Sequence, residues 1–151
     1  MSRNLMISGH LRFSFLSRCG TFVQRHSKEN EIQALSRQSH SLSKILLDDN
    51  LYADSANRSY YAVFHSMNAL CALRGVGYKK HAGVLSDFNL NYIKEGLIEK
   101  EYARIAKSAF SVRTQSDYSD FYVVSKSEVL EQYENAEKFV ARIEKYINSQ
   151  K

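Results

Sequence analysis

The chain has 151 residues, no proline, no tryptophan and two cysteines, with a formal charge of +5. That length suits one domain with a real core, and two cysteines exclude a disulfide-stapled secreted scaffold. The charge is uneven: residues 1–28 hold Arg3, Arg12, Arg18, Arg25 and Lys28 with no acid, and the remainder balances to zero, which excludes a broadly basic nucleic-acid-binding fold.

Residues 1–28 read as a basic, flexible extension ahead of a helical domain over 29–151. Acid-free, Arg- and Ser-rich composition can mark an organelle transit peptide, but the preferred reading is a disordered or loosely helical extension from an upstream start. The run Leu11 to Cys19 is broken by Arg12, Ser14, Ser17 and Arg18, so it is neither a membrane span nor a secretory apolar region. No other segment is apolar enough to cross a membrane, and the expected compartment is cytoplasmic.

From Glu29 a helical period sets in. Ile32, Leu35, Ser39, Leu42 and Leu46 recur at three- and four-residue steps and predict an amphipathic helix over 29–47. Asp48, Asp49 and Asn50 interrupt it. A second helix is expected from Ala53 to Arg74, with Ala56, Tyr60, Val63, Phe64, Met67, Leu70 and Cys71 as its apolar stripe and Cys71 as a small core residue. Gly75 and Gly77 end it, since glycine accepts a left-handed cap. Residues 75–82 form a basic loop with Tyr78, Lys79, Lys80 and His81.

A short helix over 83–91 follows, then a turn at Glu95-Gly96. A fourth helix is expected from Ile98 to Gln115, with Tyr102, Ile105, Ala109 and Val112 on one side. Residues 116–125 lack helical period and read as a loop, within which Phe121 to Val124 is the one β-like run. Ser125 and Glu128 fit a capping box, and a fifth helix carries Val129, Tyr133, Ala136, Val140, Ile143 and Ile147 to about Asn148. The absence of proline leaves these helices unbroken. The expected fold is an all-α, antiparallel bundle of four to five helices.

The second helix has a second stripe: Arg58, Tyr61, His65, Asn68 and Ala72. Seven steps of about 100° return Arg58 and His65 to one face, about 10 Å apart along the axis. A plain solvated face carries Lys and Glu, and this one carries neither, so it suits a partner or a groove. RNA cleavage without a metal needs a base for the 2′-hydroxyl and an acid for the leaving oxygen, and histidine serves as either. Arginine stabilises the phosphate charge with a planar fork of donors. One such pair is a sparse site; two brought together by a twofold axis make a fuller one. The spacing also fits an ordinary surface arginine and a satisfied histidine, and Tyr60 and Tyr61 read as packing residues in either case. A histidine metal site is not expected, because His26, His40, His65 and His81 lack ligand spacing.

The segment Asn57-Arg58-Ser59-Tyr60-Tyr61-Ala62-Val63-Phe64-His65 resembles the central motif of the HEPN superfamily, in its prokaryotic branch. Lys79-Lys80-His81-Ala82-Gly83-Val84 is similar to that branch's Lys-Thr-His-Ser-Gly-Val segment, and Arg113 followed by Asp117-Tyr118 to its later Arg-x3-Asp-Tyr element. The resemblance covers about residues 29–148. It implies a dimerising helical bundle and, with six residues between Arg58 and His65, a metal-independent endoribonuclease that needs no cofactor. It also implies a toxin paired with a minimal nucleotidyltransferase antitoxin.

By that likeness His65 is the general base or acid, Arg58 orients the scissile phosphate and Asn57 supports the arginine. Tyr61, Lys79, Lys80, His81 and Arg113 are the candidates for contacting RNA or nucleotide. His81 either braces its loop or reaches the cleft, and Asp117 is expected to pair with Arg113. The alternative is a non-catalytic HEPN module that binds nucleotide or a partner protein.

Overall fold

A computed structural model describes residues 10–118 and 123–151, with side chains described over 23–115 and 123–151. Five α-helices follow one another: α1 (His10–Asp48), α2 (Tyr52–Leu73), α3 (His81–Phe88), α4 (Lys100–Tyr118) and α5 (Lys126–Asn148). A π-helical turn, Asn89–Ile93, runs on from α3. Among the described residues there is no strand; Val123 and Val124 are irregular, and Phe121 and Tyr122 lie outside the described residues. The all-α bundle is as expected, and no described helix is long and apolar enough to cross a membrane.

Three chain reversals share one solution. After α1, Asn50 takes φ 61°, its N–H bonding to the Leu47 carbonyl and that of Leu51 to the Leu46 carbonyl. Gly75 after α2 (φ 74°) and Gly96 after the π-turn (φ 70°) repeat the pattern, through Ala72 and Cys71 and through Ile93 and Tyr92. Each pairs otherwise orphaned helix carbonyls through a left-handed residue. α5 opens on the expected capping box: Ser125 Oγ accepts from the Glu128 N–H, and the Ser125 N–H donates to the Glu128 carboxylate.

α2 is the central helix and packs on α1, α3, α4 and α5. Twelve of its 22 residues are buried, so it has no wide solvated face to spend on Lys and Glu. Its apolar stripe meets Val84, Phe88, Ile98, Ala106, Phe139, Ile143 and Ile147 in the main core. Burial of such side chains drives the assembly, at roughly 1.5–3 kcal/mol each.

Two helices depart from the sequence reading. α1 begins at His10, well upstream of Glu29. Its expected stripe is only partly what it buries: Ser39 is buried and Ile32 and Leu46 are half-buried, but Leu35 and Leu42 are exposed, while Glu29, Gln33, Ser36, Ser43 and Leu47 are buried. The reason is the small-residue face of α2. Ser36 Oγ donates to the Ala62 carbonyl (2.8 Å) and meets Ser66 Oγ (2.8 Å). Ser43 Oγ reaches the Ser55 carbonyl (2.9 Å), Ser55 Oγ (3.0 Å) and Ser59 Oγ (2.7 Å). Serine against serine brings two backbones close while every hydroxyl finds a partner. α4 differs less, running on to Tyr118 through residues expected to be loop.

Candidate active site

The site is built on the outward edge of α2, where half-buried side chains emerge between α4 and the start of α3. Arg58, Tyr61 and His65 follow one another up this edge at three- and four-residue steps. The Arg58 guanidinium carbon lies 5.8 Å from the centre of the Tyr61 ring. The rings of Tyr61 and His65 stack at 5.8 Å with 26° between their planes. The three form a column with the arginine at its solvent end.

α4 adds Arg113. Its guanidinium carbon lies 4.9 Å from the Tyr61 ring centre and 5.0 Å from that of Tyr60, and its Nη1 donates to the Tyr61 hydroxyl at 2.8 Å. A guanidinium beside two aromatic faces is held by the ring quadrupoles as well as by its hydrogen bond. Asp117, its expected ion-pair partner, has a side chain outside the described residues.

His81, the first residue of α3, comes in from the third side. Its Nδ1 sits 2.6 Å from the Tyr60 hydroxyl, and its ring lies 4.2 Å from that of Phe64. Phe64 is also 5.8 Å from His65, so the two imidazole centres lie within about 10 Å of each other. Arg58, Tyr61, His65, His81 and Arg113 are thus brought to one aromatic shelf. Lys79 and Lys80 are exposed on the loop leading into it and touch none of these side chains among the described contacts. Asn57 is half-buried, and its amide oxygen has no hydrogen-bond partner among the described residues, Arg58 included.

Both imidazoles are held below their ordinary value near 6.5. For His65 the cause is burial first, then the positive charges of Arg58 and His81. For His81 it is burial and then Arg113. Each is therefore biased to the neutral form at pH 7, the form that accepts a proton. Among the described residues no carboxylate bonds to either ring, and no group of three or more His, Cys, Asp or Glu could hold a metal ion.

Two supports are absent from the sequence candidates. Tyr60 reads from the sequence as a packing residue; its ring is indeed buried, and its hydroxyl also orients His81. The signal was available, because a buried tyrosine must find a partner for its hydroxyl. Asp87 is the other. Buried at the end of α3, it accepts from Arg74 Nη1 (2.8 and 2.9 Å), the Tyr78 hydroxyl (2.8 Å) and Asn91 Nδ2 (2.9 Å). The bonds to Arg74 and Tyr78 tie the start and the middle of the basic loop to α3. Gly83 completes the seat, since a Cβ there would stand 3.0 Å from the Tyr78 ring.

Comparison with known proteins agrees with this architecture. A family model of the HEPN domain matches residues 36–146. The chain is 41% identical over 118 residues to a Methanocaldococcus jannaschii protein named "Putative toxin MJ0605", covering 76% of this chain and 87% of that one. It is 33% identical over 109 residues to a UPF0332 protein of Thermotoga maritima, covering 72% and 83%. The crystal structure of TT1696 from Thermus thermophilus superposes with a TM-score of 0.66 at 16% identity, over 79% of this chain and 98% of that one, and shows the same fold. The matched span takes in α2, α3 and α4 whole, with the Arg58–Tyr61–His65 edge, together with the end of α1 and most of α5, and the chain belongs to the HEPN domain family.

Proposed function

We propose that the protein is the toxin of a toxin–antitoxin pair, a metal-independent endoribonuclease that works in the cytoplasm as a homodimer. The observation that carries the reading is the shelf itself. One stretch of surface joins titratable imidazoles and two arginines around half-buried aromatic rings. His65 supplies proton transfer, and its lowered affinity for protons keeps it ready as a base at neutral pH. Arg58 and Arg113 hold the phosphate and stabilise the charge that grows on it. Tyr61 borders the RNA path and sets where Arg58, Arg113 and His65 meet it, through its ring and its hydroxyl. Lys79 and Lys80 stand beside the shelf and attract the backbone on either side. A neutral domain makes this local cluster the source of phosphate affinity.

The toxin assignment is supported by the printed name of the archaeal relative. The partner that fits is a minimal nucleotidyltransferase antitoxin, and the dimer brings two shelves together. The test is direct. Purified protein is incubated with total RNA in the presence of a chelator, beside His65→Ala, and both are expressed under induction to follow growth. Wild-type protein should cut RNA and arrest growth, and the variant should do neither while keeping its helical signal and unfolding temperature. RNA left whole by the wild-type protein, or cut equally by both, would refute the nuclease.

A further inference from the structure

Resting on that nuclease reading, we infer that His81 is the general acid of the site and His65 its base, a complete proton-transfer pair within one chain. The geometry separates the two roles. His81 is fixed by the Tyr60 hydroxyl at 2.6 Å from its Nδ1. In the charged ring Nδ1–H donates to that hydroxyl, which leaves Nε2–H as the one transferable proton. Phe64 packs against the ring at 4.2 Å and prevents it from swinging away. His65 has no hydrogen bond to either ring nitrogen among the described residues, and its ring stacks on Tyr61 and lies 5.8 Å from Phe64. Both rings border the patch around Phe64, within about 10 Å of each other. A phosphodiester lying across the patch puts its 2′-oxygen and its 5′-oxygen on opposite sides of phosphorus, each needing a partner at about 3 Å.

Cations surround both rings, and a hydrogen bond distinguishes them. Arg58 faces His65 from α2 and Arg113 faces His81 from α4, while Lys79 and Lys80 precede His81 in the chain. The Tyr60 hydroxyl, 2.6 Å from His81 Nδ1, can accept Nδ1–H of the charged ring, and among the described residues no such acceptor stands at His65. When one proton is shared between the two, it sits on His81, and His65 is neutral.

The step then balances. Neutral His65 takes the proton of the 2′-hydroxyl as that oxygen bonds to phosphorus. The bond from phosphorus to the 5′-oxygen breaks with its electron pair, and Nε2–H of charged His81 gives its proton to that oxygen. The products are a 2′,3′-cyclic phosphate and a 5′-hydroxyl. His65 ends charged and His81 neutral, and exchange with water restores both. Arg58 and Arg113 hold the non-bridging oxygens throughout.

The test uses a single-stranded oligoribonucleotide that the wild-type protein cuts, made a second time with sulfur in place of the 5′-oxygen at that bond. A thiolate leaves without a proton. On the oxygen substrate, His81→Ala and His81→Gln should each lose about 10²–10⁴ in rate, the usual worth of a general acid. On the sulfur substrate both should return to within a few-fold of wild type, while His65→Ala stays slow on both. Tyr60→Phe, which removes only the orienting hydroxyl, should slow the oxygen substrate and spare the sulfur one. Equal losses on the two substrates would mean that His81 only braces its loop, and a wild-type rate for His81→Gln would remove it from the site altogether. A wild-type protein that cuts neither substrate would instead overturn the nuclease reading, and this pair with it.

Discussion

Replacing Asp87 by alanine tests how the loop before His81 is held. Its carboxylate is buried, with the side chain 2% exposed, and three residues donate to it through N–H or O–H groups, with the Cys71 thiol as a weaker fourth donor. Hydrogen bonds to a charged group are worth about 1.5–3 kcal/mol each when nothing replaces them. Here two of the donors are partly replaced by water, because the Arg74 side chain is 39% exposed and Tyr78 44%. Removing the carboxylate also relieves its own desolvation. These offsets bring the loss below the 3–5 kcal/mol of a fully buried broken pair, to about 2–3 kcal/mol. For a chain of this size that is a fall of about 5–10 °C in unfolding temperature. Urea denaturation and calorimetry measure it. A second readout is the thiol of Cys71, whose Sγ lies 3.6 Å from Asp87. Burial first, and Asp87 second, push that thiol up to about 12, so it is inert in the native protein. In a Cys19→Ser background, Asp87→Ala should expose Cys71 to a thiol reagent, and RNA cleavage should fall as the loop leaves His81 unseated. A stability loss under about 1 kcal/mol, below what one such bond contributes, with unchanged thiol labelling would refute the loop's dependence on Asp87.

Three other outcomes follow from the same packing and charges. Ser43→Leu drives a branched side chain into the α1–α2 seam where Ser55 and Ser59 stand at 3.0 Å or less; it should cost about 1–3 kcal/mol by urea denaturation, more than Leu42→Ser on the exposed side. Stability should also respond to pH through the two site histidines. Both are lowered in the fold, so they bind fewer protons there than in the unfolded chain, and stability is fully present above about 6.5 and declines as pH falls through their folded values. His65→Ala and His81→Ala should each flatten that acidic slope in thermal unfolding between about pH 7.5 and 5. For the nuclease, kcat/KM should peak below about 6.5, because it reports the free protein, and the peak in kcat should lie higher, since a bound phosphate anion stabilises the charged rings.

The helical periods read from the chain translate well where one face is apolar and the other polar. α5 is the clearest: Val129, Ala136, Val140, Ile143 and Ile147 are buried as their spacing predicts. α1 misleads for a physical reason. Its leucines mark a stripe, but α2 offers serine and alanine at the seam, and close backbone approach with paired hydroxyls wins over leucine burial. A hydropathy pattern does not contain that choice, because it depends on which face of a second helix arrives. The upstream start of α1 was hidden by the charge shift at Glu29, which marks composition and not the end of a helix.

For the site, spacing alone puts Arg58, Tyr61 and His65 on one edge of α2, because the order of side chains around a single helix needs no partner to be predicted. His81 and Arg113 lie 16 and 48 residues beyond His65, and no local rule ties them to that edge. Their likeness to family segments named them as candidates, but only the tertiary structure decided where they sit. α4 carries Arg113 onto the two tyrosine rings, and the Tyr60 hydroxyl turns His81 toward the patch that His65 borders. Periodicity is a property of one helix and is written in the chain. The meeting of three helices at one shelf is set by core packing, through contacts between residues far apart in sequence.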